Sequence, residues 1–146
     1  MKISYKGDYS LKAMLDLSEH YGIELVTSRD MARRIDAPVK FLEQVLLQLK
    51  KGGFIESRRG KEGGYMLSKP PGEISVGDVV RYVDGPIEPI ACLNYEYADC
   101  TDIKRCVLRK LWEKVHKATT EIIDNVTFED LAVEAGAGSK VLSYSI

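Results

Sequence analysis

TSRDMARRIDAPVKFLEQVLLQLKKGG, residues 27–53, carries two helices separated by a tight turn. Thr27-Ser28-Arg29-Asp30 has the form of a capping box, whose hydroxyl and carboxylate satisfy free amides at a helix start. A short helix follows, with Met31 and Ile35 on one face, and stops at Asp36-Ala37-Pro38 because the residue before proline disfavours helical geometry. Pro38 suits the first turn of a second helix reaching about Lys51. Leu42, Val45, Leu46 and Leu49 fall at i, i+3, i+4 and i+7, a buried face. Lys40, Glu43, Gln44, Leu47 and Lys51 lie opposite. Leu47 is the mismatch on that polar face, and the sequence suggests that it packs under the chain's first helix. Gly52-Gly53 ends the element.

Working outward, Leu11, Met14, Leu15 and Ser18 recur at helical spacing and predict a first helix from about Asp8 to Tyr21, stopped by Gly22. Downstream, Phe54–Arg58 and Tyr65–Ser68 read as short strands around Arg59-Gly60-Lys61-Glu62-Gly63-Gly64, whose glycines allow a sharp reversal. Three helices and a hairpin make a mainly α fold with a small two-stranded β wing, a winged helix-turn-helix. Residues 1–69 form this unit, and Lys69-Pro70-Pro71-Gly72 marks its boundary. Residues 70–101 hold a linker helix, opened by Ser75-x-x-Asp78 and closed at Gly85-Pro86, and then a loop flanked by cysteines. Residues 102–135 hold a long helix from about Asp102 to Val126 and a short one capped by Thr127-x-x-Asp130. Residues 136–146, beginning Gly136-Ala137-Gly138-Ser139, read as a mobile tail.

The long helix has a seam. Leu108, Leu111, Val115, Ala118 and Ile122 are spaced 3, 4, 3 and 4, as in a coiled coil, and predict a homodimer interface.

A chain of 146 residues holds one compact domain and an appended element. No run approaches the ~18 apolar residues of a membrane span, and the N-terminus has no signal-peptide core. A cytoplasmic protein is expected, with reduced thiols, and three cysteines argue against a disulfide framework. The net charge of −1 conceals an asymmetry. Residues 1–69 hold 13 Lys and Arg against 9 Asp and Glu, whereas residues 70–146 hold 8 against 13. Within residues 29–61 the balance is 9 against 4, a modest basic footprint suited to phosphates.

In such a fold the helix after the turn enters the major groove. Lys40, Glu43 and Gln44 sit where side chains reach base edges; Gln pairs with adenine and Glu accepts from cytosine N4. Lys50 and Lys51 are placed for phosphates, and Arg58, Arg59 and Lys61 for a narrow minor groove beneath the wing. The bland alternative is a helical bundle with a hairpin and solvated charges.

Cys92, Cys100 and Cys106 are separated by seven and five residues. Thiolates suit zinc and iron–sulfur clusters. The spacing lacks the paired C-x-x-C of common zinc sites. A loop ending on a rigid helix could wrap a [2Fe–2S] unit, which needs a fourth ligand, while three incidental thiols remain open from spacing alone. His20 and His116 read as surface or core residues.

The order of motifs resembles the iron–sulfur winged-helix transcription regulators of the IscR, NsrR and CymR type, over nearly the whole chain. It is carried by Met1-Lys2-Ile3-Ser4 with Lys6-Gly7, Phe41-Leu42-Glu43-Gln44, and Arg58-Arg59-Gly60 with Gly63-Gly64-Tyr65. Gly77-Asp78-Val79, Gly85-Pro86-Ile87, the three cysteines and Thr127-Phe128-Glu129-Asp130-Leu131 follow. The motif set is nearest the cluster-biogenesis regulators. The resemblance implies a homodimer on palindromic double-stranded DNA and a cluster held by Cys92, Cys100 and Cys106. The triad separates the chain from the clusterless cysteine-metabolism branch. The biogenesis regulators carry a histidine three residues after the last cysteine; here Arg109 stands there and cannot ligate iron. The nitric-oxide-sensing branch uses an N-terminal aspartate of the partner subunit, and Asp8 occupies the matching place.

Three functions compete: a cluster-sensing regulator responding to cluster supply, with nitric oxide as the alternative signal; a clusterless regulator acting by thiol switch or partner docking; and a small redox enzyme or cluster carrier. The last lacks a phosphate loop and a nucleophile–base pair, and leaves the basic wing unexplained.

Overall fold

The computed structural model describes residues 2–93 and 106–144, the stretch 137–144 by backbone alone. Its elements are α1 (Tyr5–Glu19), α2 (Ser28–Ile35), α3 (Val39–Lys51), β1 (Ile55–Arg58), β2 (Gly64–Leu67), α4 (Val76–Asp84), α5 (Val107–Asp124) and α6 (Phe128–Tyr144). Single 3-10 turns sit at Pro71–Glu73 and Ala91–Leu93. The strands pair antiparallel, with Ile55 opposite Leu67 and Arg58 opposite Gly64. This is the mainly helical class with a β wing that the sequence predicts.

Caps fix the boundaries. Ser4 is the N-cap of α1, its hydroxyl accepting from the Gly7 amide at 2.9 Å, so the helix starts before the expected Asp8. Thr27 caps α2 by accepting from the Asp30 amide at 3.1 Å. The Asp30 carboxylate turns to Arg33 at 2.6 Å instead of closing the box. Asp36 closes α2 in the left-handed region, φ 53°, which a short polar side chain tolerates. Pro38 stands as the N-cap of α3, just outside its first turn. Ser75 and Asp78 complete a full capping box on α4, and Thr127 and Asp130 exchange the same two bonds, at 3.0 and 3.1 Å.

One continuous core forms among α1, α2, α3 and the wing, from Met14, Leu17, Met31, Leu42, Leu46 and Leu49. Ile74, Val79 and Phe128, all beyond the expected boundary at residue 69, join it. Phe128 is fully buried, so α6 returns to the unit of α1, α2, α3 and the wing instead of standing apart. A bidentate Arg34–Asp16 pair, at 2.8 and 2.9 Å, ties α2 to α1. Leu47 corrects the sequence: its side chain stays 52% exposed and packs under no neighbouring helix. The core of α3 is already filled by four leucine and valine side chains on the other face.

α6 is longer than the short helix expected after Thr127: it spans Phe128–Tyr144, 17 residues, and so takes in most of the predicted tail. Gly136 and Gly138 lie within it, and each costs a helix roughly 1 kcal/mol relative to alanine.

α5 has no buried residue. It joins the rest through Arg81 of α4, whose guanidinium holds Asp124 in two bonds at 2.6 and 2.8 Å. That hydrogen bonding pushes the Asp124 carboxyl below its usual range, so the link is present at neutral pH and is lost as pH falls through the lowered value. The described part of α5 starts at Val107; the expected start at Asp102 lies outside the described residues.

Candidate nucleic-acid interface and cysteine site

α3 offers one face to the core and one to solvent. Lys40, Glu43, Gln44, Lys50 and Lys51 are all exposed, with Glu43 and Gln44 one turn after Lys40. Arg58, Arg59 and Lys61 are exposed at and beyond the end of β1, where the wing reverses. Beneath the wing lies a cleft of about 510 Å³ whose walls include Thr27, Ser28, Lys50, Ser57, Arg58 and Arg59. Lys50 reaches across it to Ser57, Nζ to Oγ, at 2.6 Å.

Two backbone bonds build that cleft. Val26 and Tyr65 exchange amide-to-carbonyl bonds at 3.0 and 2.7 Å, fastening the start of α2 to β2. The approach is so close that a Cβ on Gly64, φ 156°, would lie 2.7 Å from the Val26 carbonyl oxygen. Only glycine fits there. The N-terminal end of α2 thus stands beside the wing cations, and free amides at a helix start favour anions. Thr27 and Ser28 as part of this cleft were not foreseen. The capping signal located the helix start, but the pairing that carries it to the wing is long-range.

The far end of α3 is held by α4. The Tyr82 hydroxyl donates to the Gln48 carbonyl at 2.8 Å, and its ring packs on Phe54 with centroids 5.4 Å apart. At the near end, Tyr9 meets Phe41 edge-on at 5.5 Å, with Lys12 over the Tyr9 ring at 4.7 Å. α3 is therefore braced near both ends by aromatic side chains, through the Tyr82 hydroxyl at one and the Tyr9 ring at the other.

The other candidate site is partly described. Cys92 lies in the 3-10 turn Ala91–Leu93, which packs against α5, and Cys106 is the N-cap of α5. Both are partly buried free thiols, and Cys106 makes no side-chain capping bond. Cys100 lies outside the described residues, and no group of three metal-binding side chains occurs among the described ones. Asp8 stands in the first turn of α1, 51% exposed at its side chain, and pairs with Lys12 at 2.8 Å. That hydrogen bond raises the Lys12 ammonium above its usual range. Asp8 does not cap α1; Ser4 does. Arg109 pairs with Glu113 one turn along α5.

The expected dimer residues lie on α5 with no partner in the described chain. Leu108 and Ile122 are 63% and 65% exposed, and Leu111, Val115 and Ala118 are exposed as well. No described helix is long and apolar enough to cross a membrane.

Residues 3–134 match the family model described as Rrf2, iron-dependent transcriptional regulator. The chain belongs to the Rrf2 family of transcriptional regulators. An rrf2-like HTH-type regulator of Rhodobacter capsulatus is 37% identical over 147 residues, covering 96% of this chain and 98% of that one. Among solved structures, CymR, the global cysteine regulator of B. subtilis, superposes with a TM-score of 0.78 at 34% identity, covering 92% of this chain and 98% of that one. T. potens IscR follows at 0.72 and 33%, covering 92% and 88%. This Rrf2-family chain therefore shares the fold of the winged-helix regulators CymR and IscR.

Proposed function

We propose that the chain is a homodimeric DNA-binding regulator whose operator affinity follows the state of an iron–sulfur cluster held by Cys92, Cys100 and Cys106. The observation that carries it is the pairing of two devices in one chain: an exposed α3 face beside a basic wing cleft, and two free thiols on adjoining elements, one of them at the start of α5 with its exposed apolar stripe. Three thiolates are the donor chemistry that a cluster takes, and a [2Fe–2S] unit needs one more ligand. When bound, the cluster supplies a redox-sensitive anionic centre. The chain's own residues do the rest. Lys40, Glu43 and Gln44 read base edges, Lys50 and Lys51 hold phosphates, and Arg58, Arg59 and Lys61 enter the minor groove. Leu108, Leu111, Val115, Ala118 and Ile122 join two copies, so that two heads meet a palindromic operator. Genes of cluster biogenesis are the expected targets.

The DNA role is tested by Gln44→Ala. Binding to an operator selected from random DNA weakens by about 1–3 kcal/mol while random DNA is held as before. Arg59→Ala weakens binding most where an A·T-rich minor groove lies under the wing. Equal loss on selected and random DNA in Gln44→Ala contradicts the assignment of α3.

Asp8 of the partner subunit is the proposed fourth ligand. Its carboxylate is exposed and only surface-paired, and Ser4 caps α1 without it. Carboxylate is harder than thiolate, so the site is labile. Asp8→Ala shifts the visible and paramagnetic spectra and speeds cluster loss while the apo-protein keeps its helix content. An unchanged spectrum and lifetime remove Asp8.

A second reading has one observation in its favour: the structural match to CymR, a cysteine regulator, is higher than that to IscR. It makes the thiols a redox switch or the loop a docking site, with no iron.

A further inference from the structure

Leu47 stands where an aliphatic side chain has no structural work to do. The core face of α3 is complete without it: Leu42, Val45, Leu46 and Leu49 are each fully buried. At ~100° per residue, Leu47 points within about 30° of the direction opposite that face. It is ringed by Glu43 and Gln44 one turn before it and by Lys50 and Lys51 one turn after it, all exposed. A lone exposed leucine is common on protein surfaces and also favours helix. What distinguishes this one is its place, at the centre of the polar, cation-flanked face that α3 presents, one turn before Lys50, which lines the wing cleft.

We propose that Leu47 is a specificity-determining residue that reads a thymine C5-methyl group in the major groove. Among groups on base edges in that groove, the thymine methyl is the one an aliphatic side chain recognises. Leu47 lies ~4.5 Å along the helix axis from Gln44, so the thymine belongs to a base pair one or two steps from the one Gln44 reads. Lys50 and Lys51 secure the flanking phosphates, and the leucine loses its remaining water against the methyl only on the correct sequence. The inference rests on the DNA-reading role proposed for α3 and adds to it a preference for T·A over C·G at one position in each half-site. Thymine and cytosine differ at that edge by the methyl as well as the amino group, and no other exposed residue of the face is apolar at its centre.

The test uses the full-length dimer and duplex DNA that it selects from a random pool. Each thymine is replaced in turn, symmetrically in both half-sites, by deoxyuridine, which removes the methyl and nothing else. Wild-type protein loses about 4-fold per methyl at one position, about 15-fold for the symmetric pair, as expected for one buried carbon group each. Leu47→Ala binds the thymine duplex with a comparable loss and shows no further loss on deoxyuridine at that position, while random-DNA binding is unchanged. Because Leu47 is exposed, the variant folds and sediments as wild type. Equal deoxyuridine penalties in both proteins, or undiminished operator binding by Leu47→Ala, overturn the role of Leu47 alone. A change of oligomeric mass in Leu47→Ala overturns it in favour of a protein contact. If wild-type protein enriches no sequence, the DNA-reading role of α3 fails and Leu47 fails with it.

Discussion

Leu111→Glu combined with Val115→Glu yields a monomer in sedimentation velocity and an operator affinity lowered by roughly 100-fold or more, the avidity of two linked heads. α5 is 18 residues long, about 27 Å, and none of its residues is fully buried among the described ones. Its apolar residues at 108, 111, 115, 118 and 122 form a single stripe, with Leu108 and Ile122 nearly two-thirds exposed. A stripe of that length on so small a protein marks an interaction surface. Two glutamates at its centre place four like charges across a two-fold interface, where each would lose its water without gaining a partner. The core shared by α1, α3 and Phe128 lies elsewhere, so each head stays folded. Unchanged dimer mass contradicts the placement of the interface on α5.

The second large effect is expected from Cys106→Ser, which abolishes the visible colour of anaerobically purified protein. The substitution is unusually clean. Cys106 is the N-cap of α5 and makes no side-chain capping bond, and serine is a preferred N-cap residue. Thermal unfolding of the apo-protein therefore stays where it is or rises slightly, while iron content collapses. Full absorption and full iron in the variant contradict ligation by Cys106.

Much of the architecture was legible because it is written in local chemistry. The four-residue apolar stripe of α3, the reciprocal caps at Ser75 and Thr127, and the glycines around the wing each act within one or two turns. Misreadings fall where distant parts of the chain decide. α1 begins at Tyr5 because Ser4 caps it, and Ser4 is itself fixed by Asp84, which accepts from its amide at 3.0 Å and from its hydroxyl. That partner lies 80 residues away, beyond any periodicity argument. Leu47 was expected to be buried because it is apolar; whether a face is covered depends on the packing of the whole domain. The helix expected to be short after Thr127 runs to Tyr144, its first residue Phe128 fully buried in the core. Thr27 and Ser28 reach the wing through the Val26–Tyr65 pairing, which the sequence does not advertise. For the cysteines the sequence supplies donors and order, and the fold adds that Cys92 and Cys106 stand on adjoining elements.

The central claim, a regulator that carries its own iron–sulfur sensor, is met most directly by one measurement: the visible absorption spectrum of the wild-type protein purified without oxygen, with iron and sulfide assayed on the same sample. The account predicts a brown protein with about two iron atoms per chain, the content of a [2Fe–2S] unit, whose colour is lost in Cys106→Ser. A colourless wild-type protein with three titratable thiols, still able to bind its selected operator, would contradict the claim and leave a clusterless regulator.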